Sequence, residues 1–363
     1  MKYRKNKVIL VLLFIVTFSV NLKSEIISKK PQLSLYLNVE NALHFQATVS
    51  EFKDGDTVYV KRQDTGETEK IRFLGINTPE KRFYINGQWV YDPEPYSIEA
   101  SEYTQNALEG KTFTVYYSAD PNYQRDNTNS KRLIGVIVVD GRILNVDLLR
   151  EGLAKRYFYN DNPIMKFKEW VKAEATARKR RLNIWSDYHK NRIVITEIYP
   201  DPPGNERDTG KEFIEIKNFG KKPVNLKDWL FMLDRNPYYL KFTSNDFILN
   251  PGEICVISTV PESNFRTLFP SMPQDAKYLQ SENNFWFANN PTPPEQRIFY
   301  IATPDKLTEE VLTFSLNWYD GLRNGGKSLQ RVNFREIETG ITENDSPDKA
   351  LFKADTPNPG VVN

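Results

Sequence analysis

Asp54-Gly55-Asp56-Thr57-Val58-Tyr59-Val60-Lys61-Arg62, followed by Lys70-Ile71-Arg72-Phe73-Leu74-Gly75-Ile76-Asn77-Thr78-Pro79-Glu80, is the stretch on which the fold turns. Each part is a short run of β-branched and aromatic residues bounded by turn formers. Asp54-Gly55-Asp56 and Asp64-Thr65-Gly66 supply turns, and residues 45–50 precede them as a further β-rich run, so the region reads as a meander of short strands. Pro79 forces the chain out of regular structure after the last run. Carboxylates therefore sit at a tight turn, Arg72 on a strand, and Asn77, Thr78 and Glu80 in the loop behind it. A hard cation such as calcium needs oxygen donors converging from loops, and Asp56, Asn77 and the Thr78 carbonyl could form such a set. Arg72 could grip a phosphate bidentately, and Glu80 could act as a base towards water. An ordinary sheet with charged turns would carry the same residues.

Outward from this stretch, a helix is expected from Ser97, with Ser97 as N-cap, Glu99 and Glu102 in the first turns and Gly110 as the stop. Strands follow at 112–118 and 133–139. Then come a short helix at 145–151 ended by Gly152 and a longer one at 165–181. The order specifies an α+β domain, a small closed barrel with three helices. The run Arg178-Lys179-Arg180-Arg181 reads as a solvated helix end, where cations suit the dipole. Past residue 192 no strong helical period appears. Strand-like runs recur at 193–198, 212–218, 230–233, 252–258, 297–302 and 327–332 between Pro, Asn and Gly turns, which argues for an all-β sandwich. Residues 270–284 and 337–348 read as surface loops. Glu197, Glu212 and Glu215 read as the solvent face of alternating strands, and Phe213 and Trp229 as core.

The N-terminus carries Lys2, Arg4, Lys5 and Lys7 ahead of an apolar run at 8–20, the pattern of a signal peptide or uncleaved signal anchor. The domain plan is then 1–24 signal, 25–44 spacer, 45–190 barrel and 192–361 sandwich, with the chain expected outside the cytoplasm. With 39% apolar and 26% charged residues the remainder is globular, and a formal charge of +2 provides no global basic field, so any nucleic-acid site must be local. The single cysteine, Cys255, excludes an intramolecular disulfide and reads as a core hydrophobe. Two histidines, His44 and His189, make a His-based zinc site or a catalytic triad a poor fit.

Four motifs in order, Asp54-Gly55-Asp56-Thr57, Ile71 to Glu80, Glu151-Gly152-Leu153-Ala154-Lys155 and Leu182-Asn183-Ile184-Trp185, resemble the micrococcal nuclease family over residues 45–188. The resemblance implies an OB-fold barrel with three helices. It also implies a calcium-dependent endonuclease on DNA and RNA that leaves 3′-phosphates and 5′-hydroxyls and prefers single-stranded character. In that frame Asp56 and Thr78 are calcium donors, Arg72 and Arg132 bind phosphate, and Glu80 is the general base or water orienter. Tyr157 and Tyr159 flank the nucleotide. The family has Asp where Asn77 stands, which removes one negative ligand and leaves Asp54 as a substitute donor. Tyr84, Trp89 and Tyr91, in a segment that replaces the family's mobile lysine-bearing loop, suit either base stacking or packing on the barrel. Ile193 to Asp201, Lys211 to Gly220, Pro223 to Trp229 and Asn250-Pro251-Gly252-Glu253 resemble a lamin-tail domain, an immunoglobulin-like sandwich. Such a domain implies a surface, envelope or substrate association. The chain is expected to be a monomer. Two other readings stand beside this one: a nuclease-like protein that binds nucleic acid without cutting it, which Asn77 favours, and an envelope adhesin built on the sandwich.

Overall fold

The computed structural model describes residues 33–157, 162–204, 211–233, 240, 242, 246–282, 296–316, 319–323, 325–332 and 351–362. The N-terminal half runs β1 (Ala42–Phe52), β2 (Thr57–Arg62), β3 (Thr68–Phe73), β4 (Ile76–Asn77), β5 (Arg82–Ile85), β6 (Gln88–Tyr91), α1 (Ser97–Leu108), β7 (Phe113–Ser118), β8 (Leu133–Val139), β9 (Arg142–Ile143), α2 (Leu144–Arg150), β10 (Lys155–Arg156) and α3 (Phe167–Arg180). The main sheet has the order β3-β2-β1-β7-β8-β9, and β3 also pairs in parallel with β8. The strands β3, β2, β1 and β7 are thereby each paired to two others, and β8 to three. The strand period of two explains the filling: Phe45 and Ala47, Val58 and Val60, Ile71 and Phe73, and Phe113 and Val115 all turn into one buried core.

The helices start and stop near the expected positions, with two local differences. The cap of α1 is Tyr96 in the left-handed region (φ 67), and Ser97 is a buried first helical residue. The Ser97 amide already donates to the Glu94 carbonyl at 3.1 Å, so the chain turns one residue earlier than a serine cap requires. Of the residues 25–44 expected to form a spacer, 33–44 are built into the fold. Two short 3-10 turns, Leu33–Leu35 and Val39–Asn41, precede β1, and Leu37 is fully buried. The Tyr36 carbonyl accepts from Trp170 Nε1 at 3.1 Å, because α3 leaves an apolar face that this segment covers. The stretch read as a signal lies outside the described residues. Among the described residues no helix is long and apolar enough to cross a membrane.

The C-terminal half contains β11 (Ile193–Tyr199), β12 (Phe213–Asn218), β13 (Val224–Asn225), β14 (Leu230–Leu233), β15 (Ile248–Leu249), β16 (Ile254–Ser258), α4 (Glu262–Leu268), β17 (Lys277–Gln280), β18 (Gln296–Ala302), β19 (Thr308–Ser315), β20 (Ser328–Arg331) and β21 (Phe352–Asp355). Two larger sheets, β17-β16-β12-β11-β20-β21 and β14-β18-β19, enclose a core that includes Phe231, Trp229, Leu329 and the free Cys255. This is the immunoglobulin-like arrangement expected, plus elements the sequence did not announce. Residues 270–284 are not wholly loop, since β17 pairs in parallel with β16. The helix α4 buries Phe265 against Phe213, which its seven residues are too few to signal by periodicity. Glu197, Glu212 and Glu215 are buried rather than solvent-facing. The chain's C-terminal segment covers that face: the Gly360 amide donates to Glu215 at 2.5 Å, and the Asn358 amide to Glu197 at 3.2 Å.

The two halves share a buried apolar seam of Ala177, Ile184, Trp185 and Tyr188 against Met232, Tyr300, Ala302 and Val311. Polar contacts frame it. His189 Nε2 lies 3.3 Å from Glu310, and the Asn191 amide donates to Glu309 at 2.9 Å. The expected solvated basic run is only partly so. Arg178 is buried, pairs with Glu174 at 2.8 Å and lies 4.6 Å over the Trp185 ring, because its side chain faces the seam.

Candidate active site

The turn that carries Asp54 and Asp56 is held against the β4 loop by a glycine. A Cβ on Gly55 would meet the Thr78 side chain at 2.9 Å and Ala100 at 3.0 Å, and the Gly55 carbonyl accepts from Thr104 Oγ1 at 2.6 Å. That close approach lets Asp56 reach across: its Oδ2 accepts from the Thr78 amide at 2.8 Å and lies 3.0 Å from Arg72 Nη1, while its Oδ1 accepts from Thr57 Oγ1 at 3.1 Å. Arg72, on β3, also donates to the Phe73 carbonyl at 3.0 Å and to Asn77 Oδ1 at 2.7 Å. Every arm of this guanidinium network is short and partly buried, so its orientation is fixed before any ligand arrives.

Arg132 stands at the start of β8, next to β3 in the sheet. Asp126 anchors it, with Nε 2.6 Å from Oδ2 and the Arg132 amide 3.1 Å from Oδ1. Burial pushes the Asp126 carboxyl up, but hydrogen bonds from Thr128 and Arg132 outweigh it and hold it below the usual range. Glu80 follows Pro79 in the loop after β4, and its amide donates to Glu94 at 2.7 Å. Burial, then the charges of Asp56 and Asp54, push the Glu80 carboxyl up to about 8 against the opposing Arg72. Asp54 is pushed up to about 6, by burial and then Asp56. Asp54 Oδ1 also accepts from the Asp56 amide at 3.2 Å.

All these groups line one cleft of ≈ 1020 Å³: Asp54, Asp56, Arg72, Asn77, Thr78, Glu80, Arg132 and Tyr157 border it together. The other tyrosine singled out in the sequence, Tyr159, lies outside the described residues. Sequence reasoning missed Asp126, which sits in a polar loop without a motif; the Asp126-Asn127-Thr128 turn pattern was its one signal. It also missed Lys155 as a cleft residue, although Lys155 ends the Gly-Leu-Ala-Lys motif. Burial pulls its ammonium down to about 8. The expectation for residues 81–95 resolves into a hairpin, β5–β6, on which Tyr84, Trp89 and Tyr91 are exposed rather than packed on the barrel. Trp89 and Tyr91 border the cleft.

The residues present fit a hard divalent cation in one respect: beyond burial, the Asp56 charge raises the proton affinity of Asp54, and the charges of Asp56 and Asp54 raise that of Glu80, a repulsion that a cation would relieve. Asn77 contributes less than expected, because its oxygen already accepts from Arg72. Among the described residues no three His, Cys, Asp or Glu side chains form a ready metal cage.

A sheet bearing a carboxylate–guanidinium cleft is thus followed along the chain by an immunoglobulin-like sandwich. Residues 70–187 match the family model described as Staphylococcal nuclease homologue, and residues 186–297 match that of the Lamin Tail Domain. Both resemblances read from the sequence are thereby borne out. The chain is similar to the thermonuclease of Staphylococcus intermedius (28% identical over 137 residues, 36% of this chain and 71% of that protein). It is similar to the thermonuclease of Staphylococcus hyicus (28% over 139 residues, 37% and 72%). It also resembles the SPbeta prophage-derived endonuclease YokF of Bacillus subtilis (31% over 142 residues, 38% and 43%).

Proposed function

We propose that this chain is an exported, calcium-dependent endonuclease that hydrolyses phosphodiester bonds of DNA and RNA, on an OB-type barrel spanning residues 45–190. The observation that carries the reading is the single cleft in which Asp54, Asp56 and Glu80 face Arg72 and Arg132. A phosphodiester arrives as an anion and gains charge on its non-bridging oxygens as water attacks. Two fixed guanidiniums stabilise that charge without reorganising, which favours the transition state over the bound ground state. Glu80, which burial and the charges of Asp56 and Asp54 keep protonated below about pH 8, is the base in this scheme once ionised, as rising pH or a cation beside Asp54 and Asp56 would make it. Asp54 and Asp56, with the Thr78 carbonyl, are the donors for calcium; when bound, the ion supplies Lewis-acid polarisation of a phosphoryl oxygen. The Asp56 hydrogen bonds to Thr78 and Thr57 hold that donor in place. Tyr157 borders the nucleotide's place in the cleft.

The test is cleavage of single-stranded DNA by the full-length chain with calcium and with chelator. Cleavage that needs calcium, and that Arg72→Ala slows by about 100-fold or more with little loss of binding, is the expected result. No cleavage at any calcium concentration would sink the reading. The alternative of binding without cutting is favoured by the Asn77–Arg72 contact, which occupies the amide oxygen. Export rests on the N-terminal basic-then-apolar pattern alone and is checked by finding the mature chain outside the cytoplasm. A monomer is expected by sizing in solution.

A further inference from the structure

The cleft is not lined by the N-terminal half alone. Met232, Tyr300, Lys306, Leu307 and Thr308 of the sandwich border the same space as Arg72 and Glu80. This wall is fixed to the barrel: Lys155 Nζ lies 4.2 Å over the Tyr300 ring, and Met232 and Tyr300 belong to the buried seam. At its rim, Lys306 Nζ meets both carboxylate oxygens of Asp92, at 3.0 and 2.9 Å. Asp92 follows directly on β6, whose Trp89 and Tyr91 are 68% and 61% exposed. Lys306 occupies the left-handed region (φ 61) at the β18–β19 turn, closed by its amide donating to the Thr303 carbonyl at 2.8 Å. Glycine or asparagine would adopt that backbone at less cost. The Lys306–Asp92 side chains are 35% and 55% exposed, a degree of solvation at which an ion pair adds little stability. What the arrangement does deliver is a cation and two flat ring faces to the mouth of one cleft.

We propose that the C-terminal domain is one wall of the substrate cleft and binds single-stranded nucleic acid there, through Lys306 opposite the aromatic β5–β6 hairpin. The inference rests on the nuclease reading for its substrate class. A single strand offers alternating phosphates and unstacked bases, which a lysine and neighbouring rings can take in turn, whereas a duplex hides its base faces. In the free protein Asp92 occupies the cation, and a phosphate displaces it.

That competition gives the test opposite signs. Binding of a fluorescein-labelled oligothymidylate to the full-length chain is followed by anisotropy in chelator, so that no cutting occurs. Lys306→Ala is expected to weaken binding about 10-fold and to flatten its salt dependence, while Asp92→Ala tightens it about 3-fold. Thermal midpoints of both variants are checked beside wild type. Unchanged binding in both variants overturns the proposal. So does equal weakening in both, the result of a contact that only holds the domains together, and so does a duplex of equal length binding more tightly than the single strand. If the wild-type chain cuts nothing yet the two substitutions shift binding in opposite directions, the wall stands and only the hydrolytic reading falls.

Discussion

Arg132 owes its aim to one carboxylate. Asp126→Ala leaves the guanidinium free to rotate and exposes no new core, so the expected outcome is a fall in kcat of about 10-fold on single-stranded DNA with the thermal midpoint held within a few degrees. Intact kcat with a large thermal loss would mean that Asp126 only closes its own loop. Asn77→Asp puts a charge where an amide now takes a hydrogen bond from Arg72; half-saturation by calcium should drop by about 10-fold, read from rate against free calcium. At this scale the sequence was legible where residues belong to a spaced motif. Asp56, Arg72, Thr78 and Glu80 were marked by their order, and they do border one cleft. Asp126 was not, because its reach to Arg132 six residues on depends on how the loop before β8 folds back on itself, which no motif marks. The burial that raises Glu80 was equally invisible, since it comes from the packing of distant loops.

Turn formers and apolar periods located most strands and the helices α1 to α3 of the N-terminal half, and they failed where an element's partner is remote. The hairpin β5–β6 is held by its own pairing and leaves Tyr84, Trp89 and Tyr91 outside, so composition read it as either a platform or a packed loop. The glutamates of β11 and β12 fit an alternation pattern yet are buried, since alternation does not say which face the C-terminal segment will cover. Gly152 is the clearest element-scale constraint that was read correctly. It ends α2 at φ 67, and a Cβ there would meet the Leu182 carbonyl at 2.4 Å, a backbone atom that cannot swing away. Gly152→Ala should cost about 3 kcal/mol in urea denaturation. The buried glutamates give a pH prediction. Burial raises Glu197 to about 7 and Glu215 to about 8 from an ordinary 4.5. The folded state therefore holds more protons than the unfolded between these values, and stability falls as pH rises from 4.5 to 8. The urea midpoint of the chain should be higher at pH 5 than at pH 8, and Glu215→Gln should flatten the difference. A midpoint that rises over that window would contradict the assigned burial.

On the scale of the whole molecule, the change of character near 188–192 suggested a simple boundary, yet the chain there is buried: Tyr188 and His189 are stacked with centroids 4.0 Å apart, and both are shielded from solvent. Docking cannot be read from a linear pattern, because seam residues look like ordinary core in either half. The seam makes a prediction about cooperativity. Trp185 is fully buried, stands edge-on to Tyr188 and lies beneath Arg178, whose charge is met by Glu174. On the sandwich side Glu310 accepts from Arg331 at 3.2 Å beside His189. Burial raises its carboxyl, while Arg331 and then His189 bring it below the ordinary value. An apolar seam flanked by buried, paired charges couples the halves by more than each charge contact alone, since opening it strands those charges. The full-length chain should then unfold in one calorimetric transition. Trp185→Ala removes the largest side chain of the seam at a cost of about 3–5 kcal/mol and should split that transition in two, with the barrel unfolding first. Two separate transitions in the wild-type chain, with the substitution moving only one of them, would mean that the seam brings the domains together without coupling their folding, and that the cleft wall built by Tyr300 and Met232 can part from the barrel while both remain folded.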